Sequence, residues 1–107
     1  SLALRGRDLD RALSLARRAV EMDPSDPQAL HALGWVQFKR DRLEAARRHL
    51  QRALEAGRPP VALLEHAGDV ENALGNDDAA RTYWERALER APDRSSLRKK
   101  LEEASVP

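Results

Sequence analysis

Apolar residues recur at helical spacing along most of the chain, with polar residues between them. In the first such stretch, Leu9, Leu13, Ala16 and Val20 fall on one face when placed at 3.6 residues per turn. No stretch alternates apolar and polar residues with a period of two over the length of a strand. The pattern therefore predicts an all-α protein.

Proline, glycine and aspartate divide this pattern into six predicted helices. Pro24 and Pro27 separate the first two, since proline interrupts a helix but suits its first turn. Gly57 is expected to adopt the left-handed conformation that ends a helix, and Gly75 with Asn76 is expected to form a later turn. The first helix is predicted to start at an N-cap on Asp8 and to end at Met22. The others are predicted over Pro27–Lys39, Leu43–Ala56, Val61–Leu74, Asp78–Arg90 and Ser96–Ala104.

The stretch from Pro27 to Pro60 is followed by a similar stretch displaced by 34 residues. A glycine in the middle of a helix costs up to ~1 kcal/mol relative to alanine, so repeated glycines there indicate a closely approaching neighbour. A large side chain opposite is expected to fill the space beside the close contact. Each repeat is therefore predicted to be a tight helical hairpin whose remaining apolar stripe is covered by the next hairpin. The matching positions include Gly34 and Gly68, Ala46 and Ala80, and Leu50 and Trp84.

Composition narrows the classes of function. The 107 residues are 41% hydrophobic and 35% charged, which is enough to bury a core in a single predicted domain. A net charge of +1 gives no whole-molecule attraction to nucleic acid or to an anionic membrane. No apolar run approaches the ~20 residues that span a bilayer. Cysteine is absent, which excludes disulfides and thiolate chemistry but leaves the compartment undetermined between cytoplasm and periplasm.

Residues suited to catalysis or metal binding are few. The imidazoles are His31, His49 and His66. His49 is expected to face solvent, whereas His31 and Glu65 hold equivalent positions in successive repeats, where a hydrogen bond is favoured over a general base or metal site. There is no glycine-rich phosphate loop, HExxH motif or nucleophile elbow. The sequence predicts no enzymatic activity, no cofactor and no metal.

These features resemble the tetratricopeptide repeat family, whose repeat is 34 residues long. The resemblance rests on the repeated glycines and alanines, on Leu30 and Leu64, and on Pro24 and Pro92. Gln37 and Glu71 stand where the family usually has an aromatic residue, a departure expected to weaken contact between neighbouring repeats. The resemblance implies a partial repeat at 1–26, repeats at 27–60 and 61–94, and a capping helix at 95–107. More weakly, the segments 33–36 and 65–70 resemble the last repeats of bacterial exported or lipoprotein repeat proteins.

The family resemblance implies an alpha-alpha superhelix of antiparallel helical hairpins that binds a protein or peptide on its concave face. Trp35 and Phe38 lie off the Leu30–Leu33 packing stripe and are expected to be exposed or half covered. They either contact a partner or pack on a preceding first helix or on residues 1–4, and both readings stay open. The residues implied to face the groove are Gln28, His31, Trp35, Phe38, Lys39, Ala62, Glu65, Asp69, Asn72 and Ala73.

One subclass of the family clasps the acidic tail of a heat-shock chaperone, using Lys and Asn at two positions of this groove. This chain has His31 and Trp35 there, then Glu65 and Asp69. Acidic side chains repel a carboxylate, so that role is not expected.

A structural spacer or dimerisation segment with no ligand of its own is the alternative to a protein-interaction scaffold. A homodimer through the N-terminal end is expected, because Leu9, Leu13 and Val20 have no obvious cover. Leu2 and Leu4 folding back over that end would seal it instead.

Overall fold

The computed structural model describes the backbone of residues 2–105 and the side chains of residues 6–105. Every regular element within that range is an α-helix, as predicted. The chain divides into two compact units, the first ending at Gly57 and the second beginning at Arg58. The helices are α1 (Leu2–Met22), α2 (Pro27–Lys39) and α3 (Leu43–Leu54) in the first unit, then α4 (Val61–Ala73), α5 (Asp77–Arg90) and α6 (Ser95–Ala104) in the second.

The first helix is longer than predicted. It begins at Leu2, so Asp8 lies inside α1 and is not its N-cap. The segment before Asp8 contains no proline and is rich in leucine, alanine and arginine, which favour helix. The helix therefore starts before Asp8, although aspartate would be suited to cap it. The other five helices begin and end within two residues of their predicted bounds.

Local signals position the ends of the later helices. The Asp26 side chain accepts a hydrogen bond of 3.1 Å from the backbone N–H of Gln28, and Pro27 occupies the first helical position. Gly57 and Gly75 have φ values of 118° and 85°, as their predicted turn roles require. Asp41 holds in the first full repeat the place that Gly75 holds in the second, and it adopts a φ of 63°. Aspartate is among the few residues that tolerate this left-handed conformation.

In the first unit, α2 and α3 form a hairpin whose closest approach is at Gly34. A Cβ atom added there would lie 2.7 Å from Cδ2 of Leu50 and 3.2 Å from the carbonyl oxygen of Ala46. Both distances are shorter than ordinary van der Waals contact, which confirms the predicted reason for glycine in mid-helix. The α1 helix packs on α2 through buried Ala16.

The apolar residues of α1 are more covered than expected. Leu9, Leu13 and Val20 are half-buried, because α1 packs against α2. The large apolar residues exposed within the described part of the chain are instead Leu15 and Met22. The side chains of Leu2 and Leu4, expected as a seal for this end, lie outside the described residues.

In the second unit, α4 and α5 repeat the same hairpin, with α6 packed on α5. A Cβ atom at Gly68 would lie 2.5 Å from Cδ1 of Trp84, so the indole fills the space that a side chain would need. Leu97 of α6 is completely buried. None of the helices in the described range has the length and apolar character needed to cross a membrane.

Candidate partner-binding surfaces

The C-terminal half of α2 carries two stacked aromatic rings with a cation above one of them. The ring centroids of Trp35 and Phe38 are 5.1 Å apart, with an interplanar angle of 22°. The Lys39 Nζ atom lies 4.6 Å from the centroid of the Trp35 ring, within cation–π range. We call these three residues the aromatic patch. Their spacing of three and four residues places them side by side on one helix face.

Both aromatic side chains of the patch are half-buried, in agreement with the expectation that they lie off the main packing stripe. Of the other α2 residues predicted to face a partner, Gln28 is exposed and His31 is half-buried. Burial lowers the pKa of His31 below its usual value, so this imidazole is neutral at physiological pH. It therefore offers hydrogen bonding, not charge.

The α4 residues predicted for the same surface are in a different environment. Glu65 has only 5% of its side chain exposed, and its carboxylate is 2.7 Å from Nε of Arg94 and 2.6 Å from Nζ of Lys100. The Asp69 carboxylate lies 2.9 Å from the same Lys100 ammonium. We call these four residues the α6 clamp, because Lys100 belongs to α6 and Arg94 immediately precedes it.

The α6 clamp also reaches the indole that fills the hairpin. Trp84 Nε1 donates to Asp69 Oδ1 over 3.2 Å and to the Glu65 carbonyl over 3.3 Å. The carboxylates of Glu65 and Asp69 thus bond to groups of the second unit itself. Asn72 and Ala73 are exposed and Ala62 is half-buried on the same helix.

The two carboxyl groups of the α6 clamp respond differently to their surroundings. Burial alone would raise the pKa of Glu65, but the hydrogen bonds from Lys100, Ser96 and Arg94 outweigh it and the pKa is lowered. For Asp69, burial dominates and the pKa is raised, although Lys100 and Trp84 oppose the change. Burial would lower the pKa of Lys100, yet its two carboxylate partners raise it. The ammonium is therefore firmly protonated between them.

Lys100 stands in a run of charged residues, but unlike Arg98 and Lys99 it is half-buried. Lys100 follows the buried Leu97 by three residues and precedes Leu101, so it lies at the border of the apolar stripe. A lysine at such a border can lay its stem along the apolar surface and still present its ammonium to an acidic group. The sequence does not identify that group as Glu65, which is 35 residues away.

Two other polar side chains are buried where the family usually has an aromatic residue. Gln37 Oε1 is 2.7 Å from Nδ1 of His49, and Glu71 Oε1 accepts a hydrogen bond of 2.8 Å from Asn76. His49 is half-buried and also contacts the carbonyl oxygen of Ala45, so the expectation that it simply faces solvent was wrong. Burial is the main cause of its lowered pKa. In the part of the chain that the structure describes, no group of His, Asp and Glu side chains could hold a metal ion.

Comparison with known proteins adds sequence and fold evidence. Two tetratricopeptide repeat models match residues 3–65 and 37–96. No curated protein matches the chain. Among solved structures, the chain is similar to YrrB, described as a tetratricopeptide repeat protein with an unusual peptide-binding site. The TM-score is 0.81 at 26% identity over 96% of this chain and 53% of YrrB.

Two further structures have the same fold. The first repeat domain of Spaghetti (RPAP3), solved with an HSP90 peptide, has a TM-score of 0.86 at 20% identity over 95% of this chain and 81% of that one. An O-GlcNAc transferase of Thermobaculum terrenum has a TM-score of 0.85 at 25% identity, over 95% of this chain but 20% of the transferase.

The chain thus spans about half the length of YrrB. The structure and the family models indicate the same family. The structure has helical hairpins with mid-helix glycines packed against a large residue, and each family model covers more than half of the chain. The chain belongs to the tetratricopeptide repeat family.

Proposed function

We propose that this chain is a protein-interaction scaffold that binds a peptide or protein on the face formed by the first helices of its repeats. The observation that carries the proposal is the aromatic patch on α2. Trp35 and Phe38 are stacked and only half-buried, with the Lys39 ammonium beside them. Binding energy at protein interfaces is concentrated in such rigid aromatic residues.

The chemistry of the aromatic patch indicates what it accepts. The ring faces provide apolar contact area, and the Lys39 ammonium can pair with an anionic group. We therefore propose an occupant that presents an apolar side chain next to an acidic one. His31 would add a neutral hydrogen-bonding group on the same helix.

The α4 side of the proposed surface differs from that of a domain built to clasp an acidic tail. Glu65 and Asp69 are themselves acidic, and their charges are compensated by Lys100 and Arg94 within the second unit. Likeness to the HSP90-peptide-bound domain, at 20% identity, shows the fold alone.

We also propose that the chain acts by binding and not by catalysis. The imidazole of His49 forms hydrogen bonds with Gln37 and with the backbone of Ala45. The carboxylates of Glu65 and Asp69 form ion pairs with Lys100. Similarity to the transferase covers 20% of that enzyme and does not transfer its activity.

The test is a comparison of partner binding by the wild type and a Trp35→Ala, Phe38→Ala variant. Partners selected from a peptide display library would be measured by calorimetry. Loss of two central aromatic residues at about 2 kcal/mol each predicts a weakening of roughly 1,000-fold. A Leu15→Ala, Met22→Ala variant is the control, since it also removes two large apolar side chains but from exposed positions on α1.

Circular dichroism and urea midpoints establish that all three proteins are folded. Equal affinity of the wild type and the aromatic variant would overturn the proposed use of the aromatic patch. Selection of no peptide at all would favour the alternative of a spacer or dimerisation segment.

A further inference from the structure

We infer that the first unit contains a second binding site, for a phosphate monoester, in a cavity beside the turn between α2 and α3. The inference does not depend on the proposed partner-binding function. The cavity has a volume of about 310 Å³, at the lower end of the range for small-ligand sites. It is lined by Leu13, Arg17, Gln37, Arg40, Arg42 and Ala45.

All the charged side chains that line the cavity are positively charged. Three of its lining residues are arginines, and Arg40 forms an ion pair with Asp10. Arg17 and Arg42 are exposed. Within the described residues, their guanidinium groups form neither an ion pair nor a side-chain hydrogen bond, although Asp41 and Glu44 are near Arg42 in sequence. Two uncompensated positive charges therefore border one small cavity. A phosphate monoester carries about −1.5 to −2 at neutral pH and matches them.

A buried polar residue makes the base of the cavity a hydrogen-bond donor. Gln37 is 8% exposed. The His49 Nδ1 atom contacts both Gln37 Oε1 at 2.7 Å and the Ala45 carbonyl oxygen at 2.9 Å. Because a carbonyl only accepts, the hydrogen-bonding network assigns the proton to Nδ1 and the acceptor role to the Gln37 oxygen. The group of Gln37 that remains for a ligand is its NH₂, which donates.

The start of α3 adds to this donor character. Arg42 is the N-cap residue, but no side chain caps the helix. The first backbone N–H groups and the positive end of the helix dipole favour an anion there, with Glu44 offsetting part of the effect. A cationic residue at this end is unfavourable for an isolated helix. A bound anion would compensate both the dipole and the arginine.

The geometry of the donors favours phosphate over a simple carboxylate. Each guanidinium is a planar fork that can bond two phosphate oxygens at once, and a dianion can engage two such forks. Leu13 and Ala45 supply apolar lining for the carbon atoms next to the ester oxygen. The cavity thus combines donors, charge and apolar lining suited to a phosphate on an organic carrier.

The test uses the whole chain labelled with nitrogen-15, titrated with phosphoserine at constant ionic strength and followed by amide chemical shifts. Acetate and unphosphorylated serine are the comparison probes. We expect phosphoserine to cause saturable chemical-shift changes at the cavity residues. Acetate should bind with an apparent affinity at least ~10-fold lower than that of phosphoserine. A peptide containing phosphoserine then distinguishes a protein ligand, which would bind more tightly than the free amino acid, from a small phosphorylated molecule, which would not.

An Arg17→Gln, Arg42→Gln variant should weaken phosphoserine binding by ~10-fold or more, since charge-assisted bonds are lost. The matched control is Arg18→Gln, Arg58→Gln, which removes the same charge from arginines that are also exposed but do not line the cavity. It should change the affinity by less than about twofold. The site is refuted if phosphoserine produces no saturable shifts, or if both double variants lose affinity equally, since the effect would then be net charge alone.

Discussion

Gly34 and Gly68 determine how closely the two helices of each hairpin can approach. At Gly34 an added methyl group would overlap the Leu50 side chain and press on the backbone at Ala46. At Gly68 it would overlap the Trp84 indole, whose Nε1 is hydrogen-bonded to Glu65 and Asp69. Neither neighbour can move without disturbing other buried contacts.

We therefore expect Gly34→Ala and Gly68→Ala each to lower the free energy of unfolding by ~1–3 kcal/mol through overpacking. Gly34→Leu and Ala46→Leu should cost at least as much. Urea melts at neutral pH measure these losses. Gly6→Ala is the matched control, because Gly6 lies in α1 with nothing within 4 Å of an added Cβ, so the variant should be neutral or gain up to ~1 kcal/mol. Unchanged midpoints in the hairpin variants would refute the close-approach explanation.

Lys100 is the cation that contacts both carboxylates of the α6 clamp. Replacement by methionine leaves Glu65 with one cation, Arg94, and Asp69 with no cation among the described ion pairs. We expect Lys100→Met to destabilise the fold by ~1–3 kcal/mol at pH 7. Lys99→Met, at the neighbouring exposed position, is the control and should change stability by less than ~0.5 kcal/mol.

The pH dependence of that loss tests its cause. The pKa of Glu65 is lowered on folding, so its stabilising effect is present above the unfolded value of ~4.3 and is lost as pH falls through the lower folded value. The pKa of Asp69 is raised, so its effect has the opposite sign: ionisation costs stability as pH rises above ~3.9 towards the folded value. The raised pKa of Lys100 makes its contribution complete below ~10.4 and lost only as pH rises through the folded value. The penalty of Lys100→Met should therefore shrink as the pH falls and the two carboxylates protonate, and an equal penalty at neutral and acidic pH would contradict the electrostatic explanation.

Most helix boundaries could be predicted because each is marked by a local signal. Pro27, Gly57 and Gly75 act within one or two residues of themselves, and the structure has the expected conformations there. The start of α1 could not be predicted from Asp8, since the residues before it contain no proline and the single Gly6 does not end the helix. A residue that suits a helix terminus shows where a helix can begin or end, but it does not force the helix to begin or end there.

The environment of the predicted binding residues could be predicted from the sequence only in part. The half-buried state of Trp35 and Phe38 follows from helical spacing, which is a local property. The pairing of Glu65 with Arg94 and Lys100 joins residues 29 and 35 positions apart and depends on where α6 packs. The bond between Gln37 and His49 likewise requires two helices to be placed side by side. Amphipathic spacing carries no information on such pairs.

The α6 helix is the element that completes the second unit. It contributes the fully buried Leu97 and the Lys100 ammonium, and it packs along α5. A helical hairpin of this family has an apolar stripe that needs a cover, and terminal repeats need a polar outer face for solubility. Residues Arg98, Lys99 and Glu102 of α6 are exposed, so we predict that α6 caps the second unit in this way.

Deletion of the chain from Asp93 onward should lower stability and promote self-association. It removes the buried Leu97, leaves the Glu65 and Asp69 carboxylates without their cations, and is expected to uncover Val70, Leu74 and Tyr83. The milder Leu97→Ala variant should cost ~2–5 kcal/mol by creating a cavity. Urea melts and light scattering make the comparison. A shortened chain that stays monomeric and as stable as the full one would show that α6 has no capping role.

For the molecule as a whole, the exposed face of α1 is the feature that favours self-association. Leu15 and Met22 are 60% and 87% exposed, and they are the large apolar side chains exposed within residues 6–105. Seven residues separate them, which places both on one side of the helix. Two copies of α1 meeting across a two-fold axis would bury both residues of each copy in an isologous contact. With a net charge of only +1, repulsion between copies is weak.

We therefore expect a reversible dimer through α1, with burial of each such side chain contributing up to roughly 1.5–3 kcal/mol. Sedimentation velocity should show the dimer fraction rising with protein concentration into the high micromolar range. A Leu15→Gln, Met22→Gln variant should remain monomeric, whereas a Trp35→Ala, Phe38→Ala variant should dimerise like the wild type, because the aromatic patch lies on α2. If the wild type sediments as a monomer at every concentration, α1 does not mediate association. If instead the aromatic variant alone loses the dimer, the contact lies on the proposed partner-binding surface, and that surface pairs with a second copy of the chain.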